Sequence, residues 1–148
     1  MARAIAYVCA ALDRNRQIET IKEFAGLQGL EIVAWCEDAG DAVRLPDLLE
    51  RPGIRALLGC PLAFDLVLCD RVRTLSRSIA RLEPFLDELR KKGVGFECAV
   101  YEWDLVSQQC RRRCRSLPVR PAFPASTRRF RVAKPAQFHF AHLVHPAP

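Results

Sequence analysis

The chain has 148 residues, of which 50% are hydrophobic and 27% are charged. This length is sufficient for one domain with its own hydrophobic core, and the composition excludes collagen-like and fully disordered chains. No apolar run approaches the ~20 residues that a membrane-spanning helix needs. The first residues contain no signal-peptide core. We therefore expect a cytoplasmic protein without a membrane partner.

The formal net charge of +6 is concentrated in the last third of the chain. Residues 1–98 contain 14 Lys+Arg against 15 Asp+Glu, whereas residues 99–148 contain 9 against 2. A basic segment attracts polyanions, nucleic acid first, because neutralised phosphates release their counterions. The alternative is a solvated tail that has no partner.

Short apolar runs alternate with amphipathic segments over the first hundred residues. The runs at 5–9, 31–36, 64–69 and 94–98 are typical of strands buried on both faces. Apolar residues recur every three or four positions over 15–28, 54–58 and 78–92, which indicates helices. Alternation of this kind predicts an α/β fold with a mostly parallel sheet of about four strands flanked by helices.

Glycine and proline mark the expected ends of these helices. Gly29 is placed to end the first helix, and Pro52 is placed to begin the second. Pro84 lies inside the third helical pattern, so it predicts either a kink or the true first turn of that helix.

The regular pattern ends near residue 100. Residues 117–148 contain six prolines and no sustained periodicity. We therefore predict a domain over 1–100 and a basic, proline-rich, poorly ordered tail over 101–148, mobile from about residue 117. Candidate nucleic-acid contacts in it are Arg111, Arg112, Arg113 and Arg115, although an unstructured basic run is the favoured interpretation.

Metal and cofactor sites are not predicted. Cys110 and Cys114 lie four residues apart, and His139, His142 and His145 recur every three. Cys and His are zinc ligands, but a proline-rich stretch separates the two groups, so we expect no metal site. No Gly-rich phosphate loop precedes a helix, and we expect no small-molecule cofactor. In the absence of an export signal, the seven cysteines are expected to be free thiols.

Ligands of parallel sheets bind at the carboxyl ends of the strands. In this chain those ends are the segments 9–16, 37–50 and 70–77. Glu37 and Asp38, in the second segment, are chemically suited to Mg²⁺, but we expect them to form a solvated turn.

A series of short motifs runs in a fixed order from about Arg3 to Cys98. The motifs are Ala6-Tyr7-Val8, Gln17-Ile18-Glu19, Glu37-Asp38-Ala39-Gly40, Arg51-Pro52-Gly53-Ile54, Leu75-Ser76-Arg77-Ser78 and Gly93-Val94-Gly95-Phe96. Each motif alone is weak. In this order and spacing, the set resembles the catalytic domain of the serine site-specific recombinases of the resolvase and invertase type.

The resemblance implies DNA recombination or integration through phosphoryl transfer. In that family a serine hydroxyl attacks a DNA phosphodiester and forms a phosphoserine link, while arginines stabilise the negative charge of the transition state. Gln17, Arg51 and Arg77 match the active-site glutamine and two of the arginines of the family pattern. The implied partners are DNA and either further copies of this chain or another recombinase subunit.

Several positions that carry this chemistry depart from the family pattern. Ala11 occupies the nucleophile position and has no hydroxyl, and Cys9 replaces an arginine. Arg73 and Thr74 stand where the family has an Asp-Arg pair. We expect Cys9 to be a small apolar filler rather than a substitute nucleophile.

Two hypotheses follow from these departures. The first is a recombinase homologue that associates with DNA and is catalytically inactive. The second is a non-enzymatic protein that associates with recombinase subunits. Such recombinases continue with a long pairing helix and a helix-turn-helix module, and residues 101–148 predict neither. Ser76 and Ser78 offer further hydroxyls, for which helix capping is the favoured role.

Overall fold

The computed structural model describes residues 1–118, which form one parallel sheet with helices packed on both faces. The strands are β1 (Arg3–Cys9), β2 (Glu31–Asp38), β3 (Leu66–Cys69) and β4 (Gly95–Cys98), in the order β2-β1-β3-β4. The helices are α1 (Arg14–Gln28), α2 (Pro52–Leu58), α3 (Val72–Leu75), α4 (Ile79–Lys92) and α5 (Leu105–Cys114). Two 3₁₀ turns, Ala42–Arg44 and Leu48–Glu50, lie between β2 and α2. All three strand pairings are parallel, so the expected fold class is confirmed.

β1 lies in the interior of the sheet, and its side chains are buried on both faces. Because successive side chains of a strand point to opposite faces, its residues divide between two cores. Ala4, Ala6 and Val8 share a core with residues of α1. The larger core contains Ile5, Tyr7 and Cys9, together with residues of α2 and α4. A continuous apolar run is the pattern that such double burial requires.

The end of α1 and the start of α2 lie where the sequence analysis predicted them. The Asp13 carboxylate accepts a hydrogen bond from the backbone N–H of Arg16 at 3.3 Å, which caps the start of α1. Gly29 ends α1 with a φ of +64°, a conformation that glycine adopts without strain. Pro52 is the first residue of α2, where its missing N–H costs no helical hydrogen bond.

Pro84 does not mark the first turn of its helix. α4 begins five residues earlier, at Ile79, and continues to Lys92. Pro84 is exposed, so its ring lies at the solvent side of α4. Because proline has no N–H, the backbone carbonyl four residues earlier lacks its helical donor, and it is available to water instead.

The chain remains folded beyond residue 100, where the sequence predicted a poorly ordered tail. The Asp104 carboxylate caps α5 by accepting the Ser107 N–H at 3.2 Å, and Cys110 and Leu117 are buried in the larger core. This buried stripe was missed because a cysteine and a serine, rather than aliphatic residues, contribute to it. The packed helix α5 therefore extends beyond the domain boundary expected at residue 100, whereas mobility from about residue 117 stays a prediction. The rest of the predicted tail lies outside the described residues.

In the part of the chain that the structure describes, no helix is both long enough and apolar enough to cross a membrane.

Candidate functional site

A hollow of about 220 Å³ lies at the edge of the sheet where β1 and β3 end. Its lining combines residues from the start of α1 with residues that follow β3, and it includes Arg16, Gln17, Asp70, Arg71, Arg73 and Arg77. We call it the arginine hollow. This is the edge at which ligands of parallel sheets bind, as the sequence analysis expected. Four guanidinium groups against two carboxylates, Asp13 and Asp70, make the arginine hollow a cationic site.

Gln17 connects α1 to the end of β1. Its Oε1 accepts the backbone N–H of Cys9 at 2.9 Å, and its Nε2 donates to the Cys9 carbonyl at 2.8 Å. Gln17 is buried, so both of these hydrogen bonds are shielded from water. The amide thus holds the start of α1 against the last residue of β1.

Asp70 organises the segment that follows β3. Its Oδ1 accepts the backbone N–H of Arg71 at 2.7 Å and the hydroxyl of Thr74. Both Asp70 and Thr74 are buried, although both contribute to the lining of the arginine hollow. The Asp70 carboxylate therefore fixes the backbone that carries Arg71 and Arg73.

Glu102, in the segment after β4, binds two of the hollow's arginines without lining the hollow itself. Its two carboxylate oxygens accept hydrogen bonds from Arg73, from Nε at 3.0 Å and from Nη2 at 2.6 Å. The Arg71 Nη1 lies 3.4 Å from Glu102 Oε2. The hydrogen bond from Arg73 lowers the pKa of Glu102 and raises the pKa of Arg73. Glu102 is thus a counter-ion that positions both guanidinium groups.

A second polar group is buried in the larger core, near the ends of β1 and β2. The Tyr7 hydroxyl donates to Asp38 Oδ2 at 2.7 Å, and the Gly53 N–H donates to Asp38 Oδ1 at 2.6 Å. Burial, followed by the charge of Asp38, raises the pKa of Tyr7 far above its usual value. Asp38 is thus a buried acceptor, and the prediction of a solvated turn at Glu37 and Asp38 is wrong. Glu37 is paired with Arg14 at 2.7 Å.

Arg51 lies beside this buried group rather than in the arginine hollow. Its side chain interacts with Tyr7, and only 5% of the residue is exposed. Its Nε and Nη1 atoms have no hydrogen-bond partner among the described residues. Arg77 lines the arginine hollow, whereas Arg51 does not.

Ala11 is exposed at the end of β1. The chain is held there by hydrogen bonds from Ala10 N to the Asp38 carbonyl, at 2.7 Å, and from Leu12 N to the Cys9 carbonyl, at 3.2 Å. Leu12 lines the arginine hollow, but Ala11 does not. The thiol of Cys9 belongs to the larger core, and burial raises its pKa. Of the four predicted active-site positions, the hollow thus brings together Gln17 and Arg77, without Ala11 or Arg51.

The model of the family described as "Resolvase, N terminal domain" matches residues 10–112, which is more than half of the chain. The chain belongs to the resolvase N-terminal domain family.

Two solved structures are similar to this resolvase domain. The first is the C-terminal catalytic domain of ISC1926 TnpA, an IS607-like serine recombinase, with 22% sequence identity and a TM-score of 0.57 over 72% of this chain and 74% of that one. The second is the N-terminal catalytic domain of TP901-1 integrase, with 25% identity and a TM-score of 0.54 over 66% of this chain and 76% of that one. At 22% identity, the first similarity shows a shared fold. No curated protein matches this chain.

The basic run of the resolvase domain lies on α5. Exposed guanidinium groups come from Arg111, Arg112, Arg113 and Arg115, at or just after the end of α5. Arg113 is paired with Glu83 at 2.8 Å. These side chains therefore project from a packed helix rather than from an unstructured run.

Within residues 1–118, no three Cys, His, Asp or Glu side chains form a group that could hold a metal ion. Cys110 and Cys114 lie 3.9 Å apart between their sulfur atoms. The three histidines that were considered with them are outside the described residues.

The sequence analysis missed Tyr7, Asp70 and Glu102, and it assigned Asp38 to a solvated turn. Asp38 ends β2 and Asp70 directly follows β3, so a carboxylate at the end of a buried strand was an available signal. Glu102 had no such signal, because its pairing with Arg73 depends on how the segment after β4 folds back towards β3.

Proposed function

We propose that this resolvase domain associates with DNA and does not cleave it through residue 11. The observation that carries the proposal is Ala11 at the position where the family pattern places its serine. A methyl group has no lone pair with which to attack phosphorus, so a phosphoserine link cannot form at that residue.

Neighbouring nucleophiles are poorly suited to replace the missing hydroxyl. The Cys9 thiol is buried and its pKa is raised, whereas catalysis requires an accessible thiolate. The Thr74 hydroxyl is buried and donates to Asp70. The Ser76 hydroxyl accepts the backbone N–H of Ser78 at 3.0 Å, at the start of α4. These contacts favour structural roles for all three groups.

The charge of the arginine hollow supports association with a polyanion. Arg16 and Arg77 line it and form no ion pair within residues 1–118. Their guanidinium groups are therefore available to phosphate oxygens, which the planar fork of arginine binds with two hydrogen bonds. The arginines of α5 add further positive charge.

Titration of the full chain with duplex DNA over a range of salt concentrations tests this proposal. If the chain neutralises Z phosphates, the logarithm of the affinity should fall with the logarithm of the salt concentration with a slope of about −0.9Z. Arg77→Gln should reduce the size of that slope by about 1. Arg55→Gln removes the same charge from α2, outside the hollow, and should leave the slope unchanged. Absence of binding, or binding that salt does not weaken, contradicts the proposal.

The loss of cleavage is tested on supercoiled plasmid. We expect neither nicked DNA nor a protein–DNA ester that survives denaturation. The Ala11→Ser variant should also be inactive, because Cys9, Arg73 and Thr74 still differ from the family pattern. A trapped ester with the unaltered chain, or recovery of cleavage by Ala11→Ser alone, refutes this part of the proposal.

The second candidate function is association with recombinase subunits without DNA. Leu12 favours it, since 53% of this apolar side chain is exposed beside the arginine hollow. Binding to an intact serine recombinase that occurs without DNA and is insensitive to salt supports this candidate. Salt-dependent binding to DNA alone supports the first.

A further inference from the structure

Two large aromatic side chains are exposed next to each other after β4. Trp103 is 78% exposed and Tyr101 is 36% exposed. Their ring centroids are 4.8 Å apart, with an angle of 77° between the ring planes. Adjacent exposed rings form an apolar patch, and such patches on a folded domain mark interaction sites.

The backbone on both sides of the rings is held in place. Val100 N donates to the Asp70 carbonyl at 2.8 Å, which attaches the start of the segment to the end of β3. Gln108 Nε2 donates to the Trp103 carbonyl from α5. Between the rings, Glu102 binds Arg73 and so faces the arginine hollow. The two rings are therefore presented by a fixed backbone, which lowers the entropy lost when they bind a ligand.

Positive charge lies against the rings. The Arg111 guanidinium carbon is 3.6 Å from the centroid of the Tyr101 ring, within the range of a cation–π contact. Arg112, next to it on α5, is exposed and forms no ion pair among the described residues. We call Tyr101, Trp103, Arg111 and Arg112 the aromatic platform.

The platform matches the chemistry of an unpaired nucleic-acid strand. Proteins that bind single strands combine aromatic rings, on which bases stack, with cationic side chains that contact the phosphates. In a duplex the faces of the bases are already stacked on each other, so exposed rings add little to duplex binding. The polyanionic charge of a single strand also complements Arg111 and Arg112.

We propose that the aromatic platform binds single-stranded DNA by stacking its bases on Trp103, beside Tyr101, with Arg111 and Arg112 contacting the phosphates. This inference goes beyond the proposed function, which concerns association with duplex DNA and loss of cleavage. It places a second nucleic-acid site on residues that do not line the arginine hollow.

The test compares two oligonucleotides of equal charge. One is an oligo(dT) of about 10 nucleotides, and the other has the same length with every base replaced by an abasic site. The full chain should bind oligo(dT) at least tenfold more tightly than the abasic strand, because only the bases can stack. Tryptophan emission should be quenched by oligo(dT) alone, and the quenching arises from Trp103 because Trp35 is only 4% exposed.

Three variants separate stacking from charge and from apolar area. Trp103→Leu should lose about tenfold in affinity for oligo(dT) and keep its affinity for the abasic strand. Leu105→Ala is the matched control, since Leu105 is 69% exposed nearby but has no ring, and it should not change the preference for oligo(dT). Arg112→Gln should weaken binding of both strands and reduce the salt slope by about 1. An unchanged far-ultraviolet circular dichroism spectrum verifies that each variant is folded.

Equal affinity for the two strands overturns the inference, as does a Trp103→Leu variant that retains the preference for oligo(dT). Self-association of the chain without DNA, if Trp103→Leu abolishes it, shows instead that a second copy covers the platform. Failure of the proposed function gives a different result, namely no salt-dependent binding to duplex DNA. The two proposals can therefore fail separately.

Discussion

Removal of the Tyr7 hydroxyl should destabilise the domain although the change is confined to one buried atom. In Tyr7→Phe the ring remains in the larger core, but Asp38 Oδ2 loses the hydroxyl that donates to it at 2.7 Å. The other oxygen keeps its hydrogen bond from Gly53 at 2.6 Å. The variant thus leaves one side of a buried carboxylate without its protein donor.

The expected magnitude follows from the charge of the acceptor. A hydrogen bond to a charged group contributes about 1.5–3 kcal/mol to stability. Tyr7→Phe should therefore lower the free energy of unfolding by about 2 kcal/mol. The melting temperature should fall by on the order of 7 °C.

Urea unfolding at neutral pH, followed by the emission of the buried Trp35, measures this loss. Tyr101→Phe is the matched control, because it removes the same hydroxyl from an exposed ring and should change stability by less than about 0.5 kcal/mol. A Tyr7→Phe variant as stable as the control refutes the reasoning, since the carboxylate would then not depend on the hydroxyl.

The same variant has a signature in alkaline solution. The folded state raises the pKa of Tyr7, so above about pH 10 the unfolded chain releases a proton that the folded chain retains. Stability that depends on the protonated phenol is complete below pH 10 and falls above it, by up to ~1.4 kcal/mol per pH unit. The alkaline loss should be smaller in Tyr7→Phe than in Tyr101→Phe.

Two further variants test other contacts. Glu102→Gln should be less stable than the unaltered chain at pH 7, because the Arg73 contact that lowers the pKa of Glu102 stabilises the carboxylate form. That difference, measured as the urea midpoint, should shrink as the pH falls below ~4.3 and the carboxylate is protonated, and a difference unchanged in acid contradicts the assignment. Gly53→Ala should lower the melting temperature, since its Cβ would lie 2.7 Å from the Glu37 carbonyl oxygen and 2.8 Å from Asp38 Oδ2. A Gly53→Ala variant that melts with the unaltered chain shows that this contact relaxes at no cost.

Local patterns were sufficient to predict the sheet and its main helices. A strand buried on both faces must be a continuous apolar run, so β1 to β4 could be located from residue type alone. α5 was not predicted, because its buried positions, Ser107 and Cys110, are not recognised as an apolar stripe. Whether such a helix forms depends on its packing in the folded domain rather than on the intrinsic helix propensity of its residues.

The site was less predictable because its contacts join distant parts of the chain. The Tyr7–Asp38 hydrogen bond spans 31 residues, and the Arg73–Glu102 contact spans 29. Resemblance to a family indicated that Gln17, Arg51 and Arg77 belong to one region, but it did not show on which face of the sheet each lies. That placement depends on the register of β1 and on the alternation of side chains across the sheet.

The bidentate amide of Gln17 has a consequence for how a residue that matches a family's active-site pattern is interpreted. β1 extends to Cys9, whereas its pairing with β3 ends at Ala6, so the last part of β1 lacks a strand on that side. Gln17 supplies there both a donor and an acceptor to the main chain of Cys9, as a neighbouring strand would. Gln17 thus has a structural role in the end of β1, and its presence alone does not indicate that a reaction takes place.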